Sequence, residues 1–206
     1  MSLYIPEHFS APESDAIVEL IHAHPFATLI SVVEGAPLVS HLPLVADENG
    51  LLLGHLARAN PHAAALVEGA HATAIFHGPH AYVSPTWYEK PSVPTWNYAV
   101  VHVSGKVMPL ADEEIAQALL DGMIGTFDHP EPAEGTPHLG RKARAKLLGA
   151  IHCFALEIEN IEAKFKLSQN KSLADRQRVI AALGRQDDEN AQAVAGLMLQ
   201  TLANAR

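Results

Sequence analysis

Strand-length apolar stretches, set mostly in neighbouring pairs by short turns, run through the first half of this sequence. Phe26–Val33 and Pro37–Val45 are joined at Glu34-Gly35, and Leu51–Leu56 and Ala72–Phe76 follow. Parallel neighbours need a connection of about a dozen residues or more, usually a helix, whereas antiparallel neighbours need only a hairpin. The pattern therefore points to an antiparallel sheet. Further on, Tyr98–Leu110 reads as a long strand with a bend or bulge at Gly105. Cys153–Ile161 alternates Phe154, Leu156 and Ile158 with Ala155, Glu157 and Glu159, the pattern of a half-buried strand.

Helical segments flank these strands. Ala11–His24 follows a Ser10-x-x-Glu13 capping box and sets Ile17, Leu20 and Ile21 on one face. Asn60–Gly69 reads as a short helix, with Asn60 as N-cap and Pro61 at the first helical position, where its missing N–H costs nothing. Asp112 caps a helix reaching about Gly125, with Ile115, Leu119 and Leu120 on one face; Arg141–Leu148 is a basic helix; helices over about 172–184 and 188–204 finish the chain. His77-Gly78-Pro79 is expected to turn, His80–Pro94 to form an ordered loop and Phe127–Gly140 a surface loop. The expected fold is α+β, a small antiparallel barrel flanked by helices, with C-terminal helices.

A length of 206 residues supports one sizeable core. The single cysteine, Cys153, excludes an intrachain disulfide and a multi-cysteine metal cluster, which suits a reducing cytoplasm. No apolar run approaches the roughly 18–20 residues of a spanning helix, and the start lacks the pattern of a secretory signal, so no membrane association is expected. Fourteen Lys and Arg stand against 23 Asp and Glu, a formal net charge of −9. Duplex-DNA binders neutralise phosphates with Lys and Arg, so this balance argues against a tight direct grip on DNA.

Three segments carry chemical information, each beside a plainer reading. At Gly54-His55-Leu56-Ala57-Arg58-Ala59-Asn60-Pro61-His62 a strand gives way to a helix start, where free N–H groups and Arg58 suit a phosphate. From spacing alone Arg58 reads more readily as a surface arginine beside a cap. Ser84-Pro85-Thr86-Trp87-Tyr88 and Pro94-Thr95-Trp96-Asn97-Tyr98 offer stacking faces and amides to a planar heterocycle, or pin a loop or subunit interface. Lys164-Phe165-Lys166-Leu167-Ser168-Gln169-Asn170-Lys171 either holds a phosphate or caps the next helix. His22 with His24, and His77 with His80, lack the company of a zinc pattern, and no Gly-x-Ser-x-Gly or Gly-x-Gly-x-x-Gly occurs.

In chain order, Tyr4-x-Pro6, Ser40-His41-Leu42-Pro43, Gly54–Pro61, Phe76–Pro85, Trp87-Tyr88, Thr95–Tyr98 and Lys166–Asn170 resemble the PaiB family of FMN-binding negative transcriptional regulators. The resemblance implies a split β-barrel of about six strands over residues 4–170, with 171–206 as a helical extension packed on the same domain. It implies a homodimer holding FMN at the subunit interface. By the same analogy Ser40, His41 and Leu42 line the isoalloxazine edge, and His55, Arg58 and Asn60 serve the ribityl chain and phosphate. Trp96, Asn97, Lys166 and Gln169 are further candidates, with some contributed across the interface. The chain departs from the family at His62, where an aromatic often stands, and in the loop near Pro137, which lacks an expected tryptophan. The function implied is that of a negative transcriptional regulator or flavin-sensing protein. An NAD(P)H-dependent flavin oxidoreductase, whose redox chemistry the flavin itself would supply, is a second reading. A module for haem or another planar heterocycle is a third.

Overall fold

In the computed structural model, which describes residues 3–11, 14–90, 92–127 and 146–203, Glu34-Gly35 is a two-residue hairpin turn. Glu34 has φ 51° and Gly35 φ 81°. Two successive positive values mark a type I′ turn, whose twist matches that of the strands it joins. It links β1 (Phe26–Val33) to β2 (Ala36–Pro43) in a register running from Phe26 opposite Pro43 to Val33 opposite Ala36. β2 stops at Pro43, and Val45 begins a separate short strand, β3 (Val45–Ala46), paired with β4 (Leu52–Ala57).

Two longer strands follow, β5 (His71–Val83) and β6 (Thr95–Pro109). The last, β7 (Ile151–Lys166), takes β4 antiparallel, with Leu52 opposite Leu156 and Ala57 opposite Ile151. Together they form an antiparallel seven-stranded sheet ordered β2-β1-β5-β6-β7-β4-β3. Its edges are blunted against further pairing, β2 by Pro37 and Pro43 and β3 by its brevity.

Two strands run past their expected ends. His77-Gly78-Pro79 does not turn but lies inside β5, with Gly78 and Pro79 both buried. A Cβ on Gly78 would stand 2.9 Å from Leu20 Cδ1 and 3.0 Å from the Ala99 carbonyl oxygen. The glycine is there for close approach rather than for turning. β7 continues beyond Ile161 to Lys166, so Lys164 and Lys166 are strand residues and do not follow the strand.

The chain divides into two compact units: Met1–His24 with Ile75–His102 and Ile161–Arg206, and Pro25–Ala74 with Val103–Asn160. In the first, α1 (Ser14–Ala23) buries Leu20 and Ile21, while Glu13 of the expected capping box lies outside the described residues. The C-terminal helices α3 (Leu173–Leu183) and α4 (Glu189–Ala203) pack on each other, and Ser172 caps α3 by accepting from Asp175 N at 3.2 Å. The inward face of α4 is Ala191, Val194, Ala195 and Met198.

In the second unit, α2 (Glu113–Phe127) begins where Asp112 Oδ1 accepts from Glu114 N at 2.8 Å and Ile115 N at 3.3 Å. Its inward face is Ala116, Leu119 and Met123, clustered with Cys153; Leu120 packs against that cluster, and Ile115 is exposed. Because Cys153 and Ala155 are buried as well as Phe154 and Leu156, β7 is covered on both faces there. The half-buried alternation expected for Cys153–Ile161 holds only past Leu156. Most of the expected loop Phe127–Gly140 and of the basic helix Arg141–Leu148 lies outside the described residues. No helix among the described residues is long and apolar enough to cross a membrane.

Candidate functional site

The helix start after β4 forms around Asn60. Asn60 Oδ1 accepts from His62 N at 3.0 Å, capping a 3-10 turn over Pro61–Ala65 that is shorter than the expected Asn60–Gly69 helix. Its Nδ2 donates to Ser40 Oγ at 3.2 Å, and His62 Nδ1 lies 2.9 Å from the same hydroxyl. One serine oxygen thus ties the Asn60 amide and the His62 imidazole together. His62 is only 2% exposed and its Nε2 has no hydrogen-bond partner. Burial holds its pKa below the ordinary 6.5, so the ring is neutral at pH 7. Ser40 donates to Nδ1 when the ring proton sits on Nε2 and accepts from Nδ1 in the other tautomer.

His62 is the residue that sequence reasoning missed. The signal was its place two residues after an N-cap asparagine, but it registered only as a departure from an aromatic. His55 carries a second orphan: its Nδ1 is buried without a partner, and burial lowers its pKa as well. Unpaired buried polar atoms are costly, and a ligand able to pair with them would relieve that cost. Hydroxyl, amide, imidazole and guanidinium are the donor set that suits ribityl hydroxyls and a phosphate, so the residues present fit an FMN.

The remaining expected residues of this unit differ in exposure. Leu42 is buried in the core, whereas His41 is exposed, 3.1 Å from Thr28 Oγ1 through Nδ1 and with its ring over that of Phe26. Arg58 clamps the chain before β7: its backbone N–H donates to Ala150 O at 2.8 Å, Nε to Gly149 O at 3.1 Å and Nη2 to Ile151 O at 2.8 Å. A guanidinium has five N–H donors, so these bonds leave others for an anion. Burial raises the Cys153 thiol against the opposing pull of Arg58, which makes it a poor nucleophile.

Trp96, Asn97, Lys166 and Gln169 belong to the other unit. Trp96 is 53% exposed, with its ring 6.1 Å from Tyr82 and 6.2 Å from His80. Lys166 Nζ donates to the Trp96 carbonyl at 2.6 Å and to Thr95 Oγ1. Asn97 is buried, its Nδ2 3.0 Å from Ser168 Oγ and 3.4 Å from Met198 Sδ. Gln169 folds back on the chain: Oε1 accepts from Leu167 N at 2.7 Å, and Nε2 donates to the Phe165 carbonyl. Of the expected residues the structure thus joins Ser40 with Asn60, and Trp96 with Lys166. No group of three or more His, Cys, Asp or Glu suited to a metal occurs among the described residues.

A pH dependence follows from the buried imidazoles. Burial lowers His24, His55, His62 and His102 from 6.5; at His102 Glu162 acts upward and His77 downward. The unfolded chain therefore binds more protons just below that value, and stability must fall as the pH drops through about 6.5. Urea midpoints should decline from pH 7 to pH 5, and less steeply in His62→Gln. A flat profile for the parent protein would contradict these assignments.

The family model described as "Putative FMN-binding domain" matches residues 3–160. The chain belongs to this FMN-binding family. Protease synthase and sporulation protein PAI 2 of Bacillus subtilis is 34% identical over 203 residues, covering 95% of this chain and 96% of that one. Among solved structures, the FAD and heme binding protein from Mycobacterium smegmatis superposes with a TM-score of 0.62 at 22% identity, covering 84% of this chain and 78% of that one. The flavocytochrome Anf3 from Azotobacter vinelandii gives 0.62 at 15% identity, covering 79% and 72%. Membership of the PaiB type and an α+β split-barrel fold, both implied by the motifs, are borne out.

Proposed function

We propose that this chain binds FMN as a homodimer in the cytoplasm and acts as a negative transcriptional regulator or flavin-sensing protein of PaiB type. The observation that carries the reading is the Ser40–Asn60–His62 constellation at a capped helix start, with Arg58 just before it, inside the residues that match the FMN-binding family. Ser40, His41, Leu42, His55, Arg58 and Asn60 contact the flavin in this reading, and Trp96 offers an exposed face for stacking. Asn97, Lys166 and Gln169 are further candidates in this reading, with some contributed across the subunit interface. The split barrel spans 4–170 and the helical extension 171–206. The name of the Bacillus subtilis relative supports a regulatory setting. Regulation does not run through a tight direct grip on DNA: the net charge is −9, and Arg176 and Arg178 of α3 are engaged with Thr201 and Glu89.

The test is a titration of the apo protein with FMN, FAD and haem in turn. FMN should bind most tightly and Arg58→Ala should weaken it by about 1.5–3 kcal/mol, the scale of a lost hydrogen bond to a charged group. That is roughly ten- to 150-fold in Kd. Unchanged affinity in a variant that still folds would leave Arg58 as a clamp alone. Anaerobic bleaching of the bound flavin by NAD(P)H at a catalytic rate would move the reading to an oxidoreductase, and a Soret band with tight haem binding to a haem protein. In the same preparation, a sedimenting species of 22.1 kDa at micromolar concentration would count against the dimer. Sub-micromolar sequence-selective anisotropy on duplex DNA would overturn the statement on DNA.

A further inference from the structure

The end of β7 builds a second candidate site, in which Asn97 and Lys166 also stand among the candidates for the flavin. A cavity of about 180 Å³ lies there, lined by Tyr88, Thr95, Lys166, Ser168, Asn170 and Lys171 among others, and no described carboxylate lines it. Lys166, Ser168, Asn170 and Lys171 lie beyond residues 3–160 matched by the family model. Tyr88 is only 8% exposed, yet its hydroxyl is buried with no hydrogen-bond partner. Lys171 Nζ sits 4.9 Å from the centre of the Tyr88 ring and 3.3 Å from Ser92 Oγ. Ser168 holds a left-handed backbone, φ 62°, while 4% exposed, and Asn97 bonds its hydroxyl. Such a conformation costs a non-glycine residue free energy and persists only where its surroundings impose it.

From this juxtaposition of an orphaned phenol and two ammonium groups around one small cavity, we infer that the pocket binds a small oxyanion, a phosphate or a carboxylate, independently of the flavin. The size sets the ligand class. Pockets for drug-sized ligands and cofactors run to roughly 300–1,000 Å³, so this one suits an inorganic anion or a short carboxylate and not a flavin nucleotide. The charge sets its sign. Burial, with Lys164 and Lys171 adding to it, holds the Lys166 ammonium below its ordinary 10.5, and a bound anion would offset both effects. Asp175 is the acid whose field reaches Lys171, and its carboxylate is already held by Glu89 N at 2.8 Å and Ser172 Oγ at 3.0 Å. Tyr88 lines the same cavity, and its buried hydroxyl has no protein partner.

The experiment is thermal unfolding of the full chain saturated with FMN, so that the flavin's own phosphate site is closed, titrated with inorganic phosphate and separately with acetate. Chloride holds the ionic strength constant. At least one anion should raise Tm along a saturable curve. Tyr88→Phe and Lys171→Gln should each weaken that response about tenfold, the scale of one lost hydrogen bond to a charged group. Tyr88→Phe should do so while unfolding no earlier than the parent without anion, because it removes a buried unpaired hydroxyl. Arg58→Ala should leave the phosphate response intact, which separates this site from the proposed flavin site even if FMN does not bind. The inference is overturned if neither anion stabilises beyond chloride, if both pocket variants respond like the parent, or if phosphate and FMN exclude each other.

Discussion

Replacing Gly105 by alanine should cost the protein more than about 4 kcal/mol and leave little folded chain at room temperature, an effect at the extreme of single substitutions. A Cβ at this position of β6 would overlap the Glu157 carbonyl oxygen, stand 2.8 Å from the carbonyl carbon and 3.2 Å from Ile158 Cα. All three atoms are backbone of β7, so no side chain can turn aside to make room. The two strands would have to part, giving up ladder hydrogen bonds along a buried stretch. The glycine is required by space rather than by a left-handed backbone, so serine should be no better tolerated than alanine. Circular dichroism through a urea titration is the check. A Gly105→Ala midpoint within about 1 kcal/mol of the parent would show that the approach of β6 to β7 is looser than described.

Phe154→Ala should destabilise by about 3–5 kcal/mol, the usual range for emptying a buried phenylalanine site. Phe154 is fully buried in β7 and stands opposite Gly54 of β4. A Cβ on Gly54 would overlap Leu44 Cδ2 and come 3.3 Å from Phe154 Cζ, so the glycine leaves space that the ring shares with Leu44. β4 runs from that pair to His55, and Arg58 and Asn60 follow directly. Loosening β4 should therefore blur the geometry at Ser40 and Asn60 and weaken FMN binding, which goes beyond the loss of stability. By linkage, saturating FMN should recover part of the lost stability. A urea midpoint shifted by less than about 1 kcal/mol would mean that the core refills the ring's space.

Much of the scaffold was legible because its signals are local. β1 falls where the apolar run lies, Glu34-Gly35 turns as a positive-φ pair must, and Asn60 and Asp112 accept from the amides just after them. Each of these rests on a few consecutive residues and backbone stereochemistry. The expected site residues were less evenly legible, since their motifs carry family identity without saying which atoms are free. Gln169 spends both ends of its amide on its own chain, and His62, passed over, sits at the centre of the polar cluster.

What the sequence determined alone was the antiparallel pairing, the helix caps, the acidic balance and, through motifs strung in order, membership of an FMN-binding family. Tertiary structure decided what depends on neighbours distant along the chain. His77-Gly78-Pro79 reads as a turn in isolation, yet the close approach of Leu20 and Ala99 makes it a buried piece of strand. Cys153 became core because α2 packs on it, and no periodicity within β7 encodes that cover. The same holds for Ser40 with His62, and for Tyr88 with Lys171. Such pairs meet only when separate segments are brought together, and the free energy that selects their geometry belongs to the packed fold rather than to any one segment.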